Sequence, residues 1–89
     1  MSVTMNSLLM YRHYQVEAPK EAPRCGVQPE IVHTIVNSRY HLIYVWFYNK
    51  NEFWFFPISD DGIYLDGFRW NQRSWVKAKF RIDSVKSYY

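Results

Sequence analysis

Half of the aromatic residues of this chain, which holds four Trp, eight Tyr and six Phe, fall between Tyr40 and Phe56. The run reads Tyr40, Tyr44, Trp46, Phe47, Tyr48, Phe53, Trp54, Phe55, Phe56. Rings on nearly successive positions defeat the apolar–polar alternation of a half-exposed strand. Strands built from them are apolar on both faces and must be covered twice, by their own fold or by a partner.

With 89 residues the chain makes one domain at most. A chain this short buries only about 60% of its unfolded surface, so a few large side chains must carry the core. Aromatics suit that need, at roughly 150–250 Å² each. The single Cys25 provides no disulfide framework, so packing or assembly holds the fold.

Residues 1–30 differ from the rest. Pro19, Pro23 and Pro29 interrupt them, and a loop or extended arm is expected from Pro19 to Pro29. Before it, Tyr11–Glu17 reads as a short strand, or Asn6 as the cap of a brief helix over Ser7–Tyr14. The division is therefore an arm over 1–30 and one β domain over 31–89.

From Ile31 the composition turns to strand formers. Ile31–Val36 is β-branched except for one residue and predicts a first strand. His41–Tyr48, Glu52–Phe56, Ile63–Trp70 and Ser74–Ile82 predict four more, with Ser84–Tyr89 as a closing strand or a 3₁₀ turn. Pro57 predicts that the third strand ends there or lies on an edge. Asn49-Lys50-Asn51, Asp61-Gly62 and Asn71-Gln72-Arg73 supply the turns. The fold class expected is mainly β: a small antiparallel five-stranded meander, curled into an SH3-like barrel or roll, with an extended Pro-containing N-terminal arm.

Alternation divides the last hairpin into two faces. Ile63, Leu65, Gly67, Val76, Ala78, Phe80 and Ile82 form a core face. Arg69 shares that side near the turn and is expected to lean out at the sheet's end. Tyr64, Asp66, Phe68, Trp70, Trp75, Lys77, Lys79 and Arg81 form a second face that mixes rings with cations. Charge sharpens this: residues 67–89 carry six basic groups against Asp83 alone, a net +5, and residues 1–66 a net −2.

Three readings of the second face stand. Tyr64, Phe68, Trp70 and Trp75 would anchor a protein interface whose polar rim is Lys77, Lys79 and Arg81. The same residues would suit single-stranded nucleic acid, as stacking planes with phosphate partners. Or Trp70 and Trp75 pair across strands with Lys stems lying over rings, a purely structural arrangement.

No catalytic, cofactor or metal motif is present. His13, His33 and His41 have no ligand spacing, no Gly-rich phosphate loop occurs, and no serine sits in a nucleophile elbow. Asp60-Asp61 before Gly62 is ordinary turn chemistry. Little room for a concave pocket is expected, hence no enzyme, no cofactor and no small-molecule substrate. No secretory signal or membrane span is read, so the expected location is cytoplasmic or within a larger assembly.

Phe53-Trp54-Phe55-Phe56-Pro57, then Gly67-Phe68-Arg69-Trp70, Trp75, and Ile82 with Val85 and Ser87 resemble a pattern in small uncharacterised proteins of spore-forming Firmicutes. There an FWF-x-P block precedes GFRW, a further aromatic and a closing Ile-x-x-Ile-x-Ser. The resemblance covers residues 53–89 and implies an accessory or structural role with no site residues attached. The expected function is a non-enzymatic β domain acting through a protein partner or self-association. A nucleic-acid-binding module and an obligate oligomer with a swapped arm 1–30 are the alternatives.

Overall fold

A computed structural model of the chain describes residues 17–89. Five antiparallel strands form one sheet: β1 (Ile43–Phe47), β2 (Glu52–Asp60), β3 (Tyr64–Trp70), β4 (Trp75–Arg81) and β5 (Val85–Tyr88), in the order β4-β3-β2-β1-β5. A 3₁₀ turn, η2 (Ile82–Ser84), carries the chain from β4 to the opposite edge, where β5 pairs with β1. The alternatives for Tyr11–Glu17 and Ser7–Tyr14 fall essentially outside the described residues.

The meander is the one expected from the turns, and its turns are built as their sequences require. The Asp61 carboxylate accepts the N–H groups of Ile63 at 2.9 Å and Tyr64 at 2.7 Å, which holds its carboxyl below the usual range. The Asn71 side chain accepts those of Arg73 and Ser74, both at 2.9 Å. Asn49 closes its turn onto Asn51, while the left-handed position is taken by Lys50, φ 77°.

Two expectations are corrected. Ile31–Val36 is not a strand; it lies within a 3₁₀ helix, η1 (Pro29–Ser38), kinked at Ile31. Residues three apart eclipse in such a helix, so Val32 and Ile35 project together and are buried against the sheet. β-branching fixed the residues' apolarity but not their backbone, because tertiary packing overrides strand propensity. The legible signal was Pro29 at the helix start with Glu30 in its first turn. Pro57 does not end a strand: β2 runs through it, fully buried, where the register with β3 shifts between Pro57 and Ser59. A bulge is one of the places a sheet tolerates proline.

The sheet has a packed layer on each face. On one side η1 closes over Ile43, Val45, Phe47, Phe55, Leu65 and Val85. On the other, Phe56 and Trp75 form a second cluster with Ala18, flanked by Leu42, Trp54, Ile58, Phe68 and Trp70. The aromatic run divides between the layers: Tyr44, Trp46, Trp54 and Phe56 point one way, Phe47, Phe53 and Phe55 the other. Within the run only Tyr40 and Tyr48 stand exposed.

Residues 17–28 are not a free arm. They form a strap that begins at buried Ala18, crosses the β5 edge and leads into η1. At the crossing the Val27 N–H donates to the Tyr88 carbonyl at 2.7 Å, and the Ser87 hydroxyl donates to the Val27 carbonyl at 2.6 Å.

Candidate functional site

The register of the last hairpin brings the expected second face together. Tyr64 lies opposite Arg81, Asp66 opposite Lys79, Phe68 opposite Lys77 and Trp70 opposite Trp75. Opposite residues share a face, so all seven candidate residues occupy one surface.

Their packing changes what that surface offers. Trp75 is 3% exposed and belongs to the core, so it is not an exposed anchor. Its ring and that of half-buried Trp70 lie 5.3 Å apart at 57°. Phe68 is half-buried against the same cluster. Tyr64 is flanked by two cations, with Lys79 Nζ 5.0 Å and the Arg81 guanidinium 5.8 Å from its centroid. Arg81 also makes a two-pronged ion pair with Asp83, through bonds of 3.0 and 2.9 Å. That pair holds Asp83 below its usual range and pushes Arg81 further up. Ile63, assigned to the core face, is 54% exposed because β3 begins one residue later.

What alternation of side chains does not reveal is the state of the backbone. β4 is an edge strand, paired with β3 alone. Hydrogen bonds at Asn71–Ser74 and at Ile82–Ile63 bracket the ladder. Antiparallel pairs alternate between bonded and non-bonded, so the bonded pairs between them are Arg69–Val76, Gly67–Ala78 and Leu65–Phe80. The N–H and C=O groups of Lys77, Lys79 and Arg81 therefore point outward, off the sheet.

Beside this edge runs a groove of about 590 Å³, lined by residues that include Phe53, Arg69, Lys77, Ala78, Lys79 and Phe80. Across it stand Asn49 and Asn51 of the β1–β2 turn. Arg69, on the core side as expected, lies with its guanidinium 5.3 Å from the Phe53 centroid. Curling the sheet opens this groove where the β4 edge approaches the β1–β2 turn.

Among the described residues no three His, Cys, Asp or Glu side chains converge as metal ligands, and no helix is long and apolar enough to cross a membrane. No family model, curated protein or solved structure matches the chain.

Proposed function

We propose that this protein is a binding module that takes up an extended, acidic segment of a partner protein as a sixth strand along β4. The observation that carries this is the row of outward backbone groups at Lys77, Lys79 and Arg81, beside a groove rimmed by Arg69, Lys77 and Lys79. Strand addition takes its affinity from main-chain hydrogen bonds and its specificity from alternate side chains. Lysines on an edge also deter indiscriminate pairing; a chain bearing carboxylates at the matching positions removes that penalty.

Register defines what such a segment looks like. Residues opposite Lys77 and Lys79 share their face, so these positions are acidic. The residues between them face Ala78 and Phe80, so those are small and apolar. The pattern is acidic–apolar–acidic–apolar. In fold terms we read the curled sheet as an SH3-like roll, from its strand order and the 3₁₀ turn before β5.

The packing favours protein over single-stranded nucleic acid, which needs free ring faces for its bases. Here Trp75 is buried and Tyr64 is flanked by cations. The contacts of residues 17–28 with their own sheet likewise do not support exchange of that segment between copies.

The test is fluorescence anisotropy with a labelled peptide of alternating Glu and Val, its composition-matched block isomer, and a backbone N-methylated version. The alternating peptide is expected to bind at low salt, the others at least tenfold more weakly, and Lys77→Glu/Lys79→Glu to abolish binding. Equal binding of all three peptides, or binding of a single-stranded oligonucleotide in their place, sinks the proposal.

A further inference from the structure

A second groove lies at the other edge of the sheet, where the strap crosses β5. Its volume is about 540 Å³, within the range of roughly 300–1,000 Å³ typical of small-ligand sites. Three cations reach it from separate parts of the chain: Arg24 from the strap, Lys50 from the β1–β2 turn and Lys86 from β5. Trp46 of β1 also lines it, half-buried, its ring braced edge-on by Tyr44 at 5.1 Å between centroids.

None of the three cations has an ion-pair partner, since Arg81–Asp83 is the only ion pair among the described residues. The one carboxylate lining the groove, Glu52, accepts the Tyr44 hydroxyl at 2.8 Å. The charged lining is therefore net +2. The wall that carries Arg24 is held close by a steric requirement. A Cβ on Gly26 would lie 2.1 Å from the Tyr88 carbonyl oxygen and 2.7 Å from Ser87 Oγ.

An indole bordering a pocket with two excess positive charges calls for a planar ring that bears a compact dianion. A phosphate monoester carries about −1.5 to −2 at neutral pH, which matches the lining. We propose that this groove binds a planar heteroaromatic ring carrying a phosphate group, the chemistry of a mononucleotide, with the ring against Trp46 and the phosphate among Arg24, Lys50 and Lys86. The site is separate from the β4 edge and does not rest on it.

Titration calorimetry on the full chain, with adenosine monophosphate, adenosine and inorganic phosphate as probes, tests this. Adenosine monophosphate is expected to bind saturably, with adenosine and phosphate each at least tenfold weaker. Lys50→Glu and Lys86→Glu, both at exposed positions where folding is readily checked by circular dichroism, are expected to weaken it at least tenfold each. Trp46→Phe is expected to weaken it severalfold, and Lys77→Glu to leave it unchanged. Phosphate binding as tightly as the nucleotide overturns the role of Trp46. No saturable binding at millimolar nucleotide, or no response to the charge reversals, overturns the site. An oligonucleotide that binds far more tightly and depends on Lys77 overturns it in favour of a general polyanion surface.

Discussion

The Phe80 ring of β4 meets the Phe47 ring of β1 edge-on, with 4.8 Å between centroids and 89° between planes. In a flat sheet these strands, three positions apart, would be separated by about 14 Å. The contact therefore exists only because the sheet curls. The same ring reaches Phe55 at 4.8 Å and Phe53 at 6.3 Å, so one side chain from an edge strand closes the aromatic layer. Phe80→Ala is expected to lower stability by about 3 kcal/mol, and Phe80→Leu, which keeps most of the volume, by about 1 kcal/mol. The first is a large share of the roughly 5–15 kcal/mol available to a domain. Urea unfolding measures both, and equal midpoints for the two variants would contradict this role for the ring.

Two glycines face clashes of similar size with different consequences. A Cβ at Gly67 would lie 2.2 Å from the Phe56 carbonyl oxygen and 2.8 Å from Phe55 Cζ, in the middle of the sheet. Gly67→Ala must push β2 and β3 apart and is expected to cost about 3 kcal/mol of global stability. At Gly26 the clash is with the β5 edge, and the strap can lift away. Gly26→Ala is expected to leave the unfolding midpoint within about 1 kcal/mol of wild type. It should, however, speed hydrogen exchange at the Val27 amide and proteolysis within residues 17–28. Global loss in both variants would mean that strap and sheet unfold as one unit.

The strands were legible because each is bounded by a turn with its own chemistry. Asp61 and Asn71 accept the N–H groups that their turns leave unpaired, and such residues are visible in a sequence. The faces of the last hairpin were legible from period two, including the side of Arg69, though its guanidinium lies over the Phe53 ring rather than leaning out at the sheet's end. Depth was not: alternation gives a side, and Trp75 shares a side with exposed Lys77 while lying in the core. Ile31–Val36 misled because β-branched residues report apolarity, and only the tertiary fold decided that the sheet needed a lid there. The strap groove draws on Arg24, Lys50 and Lys86, which no local pattern links.

Tyr44 sets the response to alkali. Burial, aided by its hydrogen bond and proximity to Glu52, raises its hydroxyl from 10.0 to about 12. The folded state thus holds this proton more tightly than the unfolded state does. The contribution is complete below pH about 10 and is lost as pH climbs towards about 12. Between these limits wild type is expected to lose stability more steeply than Tyr44→Phe, which has no proton to give up. Parallel curves of unfolding free energy against pH for the two proteins would remove Tyr44 as the cause.

The alternation of bonded and outward residues along β4 makes a prediction that needs no ligand. Proline lacks the N–H that a ladder requires. At Ala78 that group bonds to Gly67 across the β3–β4 pair, so Ala78→Pro is expected to cost about 3 kcal/mol by stranding a partner inside the sheet. At Lys79 the N–H points off the edge, so Lys79→Pro should cost only about 1 kcal/mol, from backbone adjustment. The adjacent substitutions therefore differ by about 2 kcal/mol, roughly thirtyfold in the folding constant. If Lys79→Pro is the more damaging, the register of the hairpin is shifted by one residue and the outward groups belong to Val76, Ala78 and Phe80. If the order is as expected, Lys79→Pro becomes a folded edge variant that lacks both one docking hydrogen bond and the Lys79 cation. It should then weaken the alternating Glu–Val peptide severalfold while leaving adenosine monophosphate binding at the strap groove untouched.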